Sequence, residues 1–272
     1  LYADAVTTVS PRYAREIQTP EFGCGLDGLL RSRSGAVRGI INGIDDAAWN
    51  PGADPAIAAP FSAGDLTGKK ACKEDLLRAF GFAPADSGPP VFGIVSRLAG
   101  QKGLDLFADA LDLLAPLKFR SVIVGHGEPW IERRLAEAAR RFPWNVGLRI
   151  AYDERLARKV FAGSDFFLVP SRYEPCGLTQ MYAQRYGAVP VVRSVGGLDD
   201  TVDEYQPASR KGTGFKFEAA GPGALVEAVR RALEAWKNPE DMAALRRNGM
   251  SRDFSWARSA EEYLRLYREL AG

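Results

Sequence analysis

Residues 165–201 read DFFLVPSRYEPCGLTQMYAQRYGAVPVVRSVGGLDDT. Asp165 to Val169 is a short apolar run stopped by Pro170, the pattern of a strand buried on both faces. Gly177 opens a stretch of good helix formers, Leu178 to Arg185, and Gly187 ends it. Ala188 to Arg193 is a second apolar run, closed by Gly196-Gly197. The stretch therefore predicts strand, loop, helix, strand and turn, the repeating unit of a parallel sheet.

Working outward, the same alternation extends on both sides. Strands are expected at 91–96, 119–124, 146–151 and 214–217. Helices are expected at 104–114, 130–142, 154–161, 198–204 and 223–236. Two more helices follow, near 242–248 and 255–270. Strands separated by helices of this length specify an α/β, doubly wound, Rossmann-like parallel sheet. Before it lie a strand at 5–9, a short helix opened by Ser10-Pro11 and a strand at 37–41 closed by Asn42-Gly43. Thr19 to Gly35 reads as irregular, 45–60 as connection, 69–80 as an amphipathic helix and 83–90 as a loop. The expected division is 1–50 as an N-terminal extension and crossover, 51–254 as the nucleotide-binding domain, and 255–272 as a terminal helix. Tyr263, Leu264, Tyr267 and Leu270 share a face of that helix.

Composition removes several function classes. Over 272 residues, 36 basic and 34 acidic side chains leave a net charge of +2. No global field recruits nucleic acid or an anionic membrane. No apolar run approaches the roughly 18 residues of a membrane span. Cys24, Cys72 and Cys176 form neither a disulfide framework nor a zinc spacing, which suits a reducing, cytoplasmic setting. The single histidine, His126, excludes a His-rich metal site, and no cofactor is implied.

Sheets of this class bind ligands at the carboxyl ends of their strands. Four loops fall there. The first, Ser96 to Gly103, carries Arg97 and Lys102, whose planar fork and point charge both suit phosphate oxygens. Exposed charges are usually only solvated, but glycines near Lys102 and the place in the chain favour phosphate. The second, Gly125-His126-Gly127-Glu128, reads equally as a tight turn or a close approach to ligand. In the third, Tyr152 is suited either to stack on a base or to cover the end of the core. The fourth carries Glu174, with Cys176, Gly177, Leu178 and Thr179 at a helix start that favours anions. Cys176, without a histidine partner, reads as a small thiol lining the ligand rather than a nucleophile. A carboxylate beside a phosphate-suited helix start matches a ligand with hydroxyls and phosphates, a nucleotide sugar.

SRLAGQKGLDL, SRYEPCGLTQMYA, VGGLDDTV and the terminal DFSW resemble bacterial glycogen synthases and plant starch synthases, retaining glucosyltransferases of the GT-B fold. YADAVTTVSPRYAREIQTPEFGCGLDGLL and NGIDDAAWNP resemble the same family. EPCGLTQ is the most specific of these. The resemblance implies transfer of glucose from ADP-glucose to the 4-OH at the non-reducing end of an α-1,4-glucan, with retention and without a metal. It implies that Arg97 and Lys102 neutralise the diphosphate and that Tyr152 stacks near adenine. Glu174, with the backbone of Cys176, Gly177 and Leu178, would hold the glucose. Thr179 would touch phosphate, and Asn42 would lie in the cleft between domains. Two departures stand out: Tyr182 occupies the place of a second glutamate common in the wider GT-B set, and Val195 stands where threonine is frequent. The family's K-x-G-G-L motif and most of its acceptor-side domain are missing. The expectation is therefore a donor-binding half, with little or no glucan synthesis alone and with exposed apolar surface where the partner domain would sit. Two other readings remain open at this level: a GT-B transferase using UDP-glucose, and a noncatalytic nucleotide-sugar or glucan-binding module.

Overall fold

The structure, a computed structural model, describes residues 3–83 and 88–272. The part of the expected 83–90 loop at 84–87 lies outside the described residues. The chain runs β1 (Val6–Thr8), α1 (Pro11–Glu16), α2 (Asp27–Ser32), β2 (Val37–Gly39), α3 (Thr67–Ala79), β3 (Val91–Val95), α4 (Leu104–Leu114) and β4 (Arg120–Gly125). It continues through α5 (Pro129–Arg141), β5 (Val146–Ile150), α6 (Glu154–Gly163), β6 (Phe166–Val169), α7 (Thr179–Arg185) and β7 (Val189–Arg193). The last elements are α8 (Gly196–Thr201), β8 (Phe215–Phe217), α9 (Pro222–Trp236), α10 (Pro239–Met250) and α11 (Trp256–Ala271).

Six strands form one parallel sheet in the order β5-β4-β3-β6-β7-β8. Side chains alternate between two buried layers. Phe92, Ile94, Phe166 and Leu168 pack with Phe107, Leu111 and Leu225 on one face. Val91, Val122, Val124, Phe167 and Val169 pack with Leu76, Leu77, Val160 and Tyr186 on the other. Burial on both faces explains why these strands read as unbroken apolar runs. β1 and β2 make a separate two-stranded parallel pair.

The expected helices and strands are present with small boundary shifts. The exception is α2, which falls in the segment read as irregular. No side chain caps its N-terminus and none of its residues is buried, so neither a cap nor an apolar stripe announced it.

The sheet order reverses between β3 and β6. Strand order on one side runs outward through β4 and β5, and on the other through β7 and β8, so the carboxyl ends of β3 and β6 open a crevice. Trp256 begins α11 beside the crossover: Ile44 pairs with Ser255, and Ser259 Oγ donates to the Ile41 carbonyl at 2.7 Å. Leu264, Tyr267 and Leu270 of α11 are exposed, as are Leu26, which caps α2, and Leu29 within it.

Candidate functional site

The loops that follow β3 and β6 meet at the crevice and are tied to each other. Arg172 grips Asp105 with two nitrogens, at 2.7 and 2.6 Å. The Arg172 backbone N–H donates to the Gln101 carbonyl at 2.8 Å, and Gln101 Nε2 donates to the Tyr173 carbonyl at 2.8 Å. Burial alone would raise Asp105, but the Arg172 hydrogen bonds and charge win and hold its carboxyl below the ordinary value. Gly103 has φ 67°, and a Cβ there would stand 2.1 Å from the Pro170 carbonyl oxygen. Glycine after Lys102 is thus required for the two loops to touch.

Between them lies a cavity of about 180 Å³ whose walls include Ser96, Arg97, Lys102, Ser171, Glu174 and Thr179. Glu174 is only 6% exposed. A buried carboxylate needs compensation, and it has two partners. Lys102 Nζ lies 2.6 Å from Oε2, and Ser171 Oγ donates to the same oxygen at 2.9 Å. Both contacts fall on Oε2; among the described residues no hydrogen bond reaches Oε1, an acceptor suited to a ligand hydroxyl. Arg97 is exposed and pairs with no carboxylate among the described residues; its contact is to Gln101 Oε1 at 3.4 Å. The lining therefore carries two cations against one anion, a local excess suited to phosphate.

A second cavity of about 720 Å³ adjoins the first, and Ser96, Arg97 and Thr179 line both. Four aromatic side chains, Trp49, Tyr152, Phe161 and Tyr182, stand in its walls. Trp49 stacks on Tyr182 with ring centroids 3.8 Å apart, and the Arg158 guanidinium lies 4.2 Å over the Trp49 ring. Tyr152 stands at this rim, 96% exposed. Such an exposed ring covers little of the core, which favours stacking over the covering role. Arg97 borders both cavities, Lys102 only the small one, and the aromatic rings only the large one, an arrangement that a phosphorylated nucleoside would fit. A groove of about 890 Å³ between Trp144 and Trp236 is more voluminous than either. It lies at the amino ends of the strands, away from these loops.

The remaining predicted residues are distributed unevenly. Gly177 has φ 70° beside Glu174, and Leu178 is exposed as the cap of α7. Cys176 is 5% exposed and packs with Ile44 and Met181 rather than in the walls of either cavity. Burial pushes its thiol up to about 11, against a hydrogen bond from the Asn42 backbone, which disfavours the thiolate. Asn42 lines a separate cavity of about 70 Å³ with Asp253, Phe254 and Ser255. The turn at Gly125 to Glu128 packs on Leu98, where a Gly127 Cβ would lie 2.3 Å from the carbonyl oxygen. His126 Nδ1 lies 2.8 Å from Glu132.

Sequence reasoning passed over Ser171 and Trp49. Ser171 sits three residues before Glu174, a spacing that was a usable signal. Trp49 lay in a segment read as connection, and nothing local pointed it at Tyr182.

The family model for glycosyl transferases group 1 matches residues 79–249, more than half of the chain. The chain belongs to this family. A second model, for the starch synthase catalytic domain, matches residues 1–32. Among curated relatives, a glycogen synthase from Anaeromyxobacter dehalogenans is 53% identical over 99% of this chain and 56% of its own length. A glycogen synthase from Koribacter versatilis is 50% identical over 99% of this chain and 55% of its own length. The chain thus spans about half the length of the curated relatives it matches. Among solved structures, the catalytic domain of starch synthase IV from Arabidopsis thaliana, bound to ADP and acarbose, superposes with a TM-score of 0.90. It is 39% identical, and the match covers 98% of this chain and 56% of that one. Sucrose-phosphate synthase from Thermosynechococcus elongatus, at 24% identity and a TM-score of 0.67, shares the fold. As a group 1 glycosyl transferase of α/β architecture, the chain carries the sheet that the sequence pattern predicted, and the family resemblance drawn from its motifs holds.

Proposed function

We propose that the chain is the donor-binding half of an ADP-glucose:α-1,4-glucan glucosyltransferase, a glycogen or starch synthase. The observation that carries this reading is the small cavity at the switch point. There Glu174, with one carboxylate oxygen uncommitted, faces Arg97 and Lys102 beside a cavity bordered by Trp49, Tyr152 and Tyr182. The glycogen synthase relatives support glycogen synthesis, and ADP in the starch synthase IV structure supports adenine as the donor base.

In this reading Arg97 and Lys102 hold the diphosphate, Thr179 touches phosphate, and the base lies near Tyr152 and Trp49. Glu174, with the backbone of Cys176, Gly177 and Leu178, holds the glucosyl hydroxyls. As the bond to the sugar breaks, negative charge grows on the leaving diphosphate. Fixed cations aimed at that charge contribute more in the transition state than in the ground state. The reaction proceeds on one face of the sugar, with the leaving phosphate helping to take the acceptor proton. Asn42, beside Cys176, would face the partner domain that supplies the acceptor side. A cytoplasmic setting fits the three free cysteines, and among the described residues no helix is long and apolar enough to cross a membrane.

Calorimetric titration of ADP into the chain tests the reading. Saturable binding is expected, with UDP weaker in a parallel titration. A folded chain that shows no ADP binding at millimolar nucleotide contradicts it. With ADP-glucose and glycogen, this chain alone is expected to show little or no synthesis.

A further inference from the structure

We infer that Glu16, on α1 and far from the donor cavity in sequence, is a positioning residue for the loop that carries Glu174. This rests on the donor-site reading above and names a residue that the reading does not use.

The Glu16 carboxylate is 8% exposed and faces the turn that opens α8. The Gly196 N–H donates to both of its oxygens, at 3.0 and 3.1 Å, across 180 positions of sequence. The next amide, Gly197 N–H, donates to the Glu174 carbonyl at 3.1 Å. Two successive amides of one turn thus point in different directions, one at Glu16 and one at the Glu174 loop. The packing leaves no slack: a Cβ on Gly196 would lie 1.9 Å from the Glu174 carbonyl oxygen, and one on Gly197 would lie 2.1 Å from that of Cys176. A shift of the 195–197 turn therefore moves the backbone from Glu174 to Cys176.

The segment around α1 touches the same loop a second time. Tyr13 and Tyr173 share a hydrogen bond between their hydroxyls, with ring centroids 5.4 Å apart. Phe22 stacks on the Tyr173 ring with centroids 5.9 Å apart. Tyr173 immediately precedes Glu174. Residues 13–22 therefore hold the glucose-binding loop from both ends, at Tyr173 and through Gly196-Gly197. Arg12 completes the arrangement. Its Nε lies 3.0 Å from Glu16 Oε1, and its backbone N–H donates to Asp200 at 2.8 Å. The donor site's sugar end is thus set partly by a segment outside the six-stranded sheet. That segment aligns the Glu174 backbone without touching ligand.

Reach and charge can be separated by two conservative variants. Glu16→Asp keeps the charge opposite Arg12 but withdraws the acceptor by one methylene. Glu16→Gln keeps the reach and one acceptor but removes the charge. Positioning predicts that E16D weakens ADP-glucose binding about tenfold, the loss associated with leaving one buried backbone N–H without its acceptor. It predicts ADP binding within about twofold of the original chain, because phosphate and base are held by other loops, and E16Q within about threefold for both ligands. Hydrogen exchange reads the same point without any ligand: E16D is expected to lose protection at 172–178 and 194–198 while α4 and α9 keep theirs. Unchanged exchange at those segments overturns the inference, as does E16Q weakening ADP-glucose binding more than E16D, or equal loss of ADP and ADP-glucose. If the original chain binds neither ligand while E16D loosens 172–178, the positioning stands and the donor-site reading falls.

Discussion

Two buried carboxylates flank strand β6, and they differ in what surrounds them. Asp165 precedes the strand at the amino edge of the sheet, and Glu174 follows it at the carboxyl edge. Asp165 is saturated: Lys73 Nζ lies at 2.7 Å and the Val91 N–H at 3.0 Å from one oxygen, and Arg246 at 2.8 Å from the other. Glu174 has Lys102 and Ser171 on a single oxygen and borders a cavity. The residue types are alike, an acid with lysine and arginine close by. The difference is that both oxygens of Asp165 are spent on the fold, whereas among the described residues Glu174 keeps one free at the switch point. Burial with ion pairing is therefore a weak sign of function. An incompletely used carboxylate at the carboxyl edge is a stronger one.

The largest break in this comparison comes from the saturated side. Asp165→Asn leaves Lys73 and Arg246 facing a neutral amide, and breaking such a buried cluster costs about 3–5 kcal/mol. Urea unfolding is expected to show that loss, while ADP affinity of the folded fraction stays unchanged. On the open side, Lys102→Ala and Arg97→Ala each are expected to weaken ADP binding by about tenfold to a hundredfold, as charge-assisted phosphate contacts are lost. Arg97→Ala, at an exposed position, should leave the unfolding midpoint in place.

A third buried charge sharpens the contrast through pH. Lys69 is buried with Nζ 2.9 Å from the Ala162 carbonyl and 2.8 Å from that of Tyr186, and burial pulls its pKa down to about 7. Between pH 7 and the ordinary lysine range the unfolded chain holds more protons, so stability rises with pH there. Below about pH 7 the burial cost is fully present. Unfolding free energies at pH 7 and 9 are expected to rise for the original chain relative to Lys69→Met. A parallel pH response in both would count against it. The smallest expected effect is at Cys176, whose thiol lies outside the two adjoining cavities. Cys176→Ala should change ADP affinity by about twofold or less, the range of a packing change remote from ligand, as read by the same titration.

How far the sequence reached follows the same division. Helix α4 was legible to the residue because apolar spacing marks its buried face, and α1 because Ser10 and Pro11 cap it. Strands buried on both faces announced themselves as apolar runs. Arg97, Lys102, Glu174 and Thr179 were legible as a set because each follows a strand on the same edge. What stayed hidden depends on contacts between distant segments. The Glu16 acceptor meets Gly196 across 180 positions, and no local pattern encodes that meeting. The Gly196-Gly197 pair, read as a turn, is fixed by the Glu174 and Cys176 carbonyls packed against it.

The most direct test sets the two carboxylates against each other. ADP and ADP-glucose are titrated into Glu174→Gln and Asp165→Asn, and the ratio of the two affinities is compared with that of the original chain. The account predicts that E174Q loses the part of the affinity contributed by the glucosyl group, about tenfold, while its ADP affinity holds. It predicts that D165N keeps the original ratio despite its lower stability. An unchanged ratio in E174Q, or an altered one in folded D165N, would contradict it.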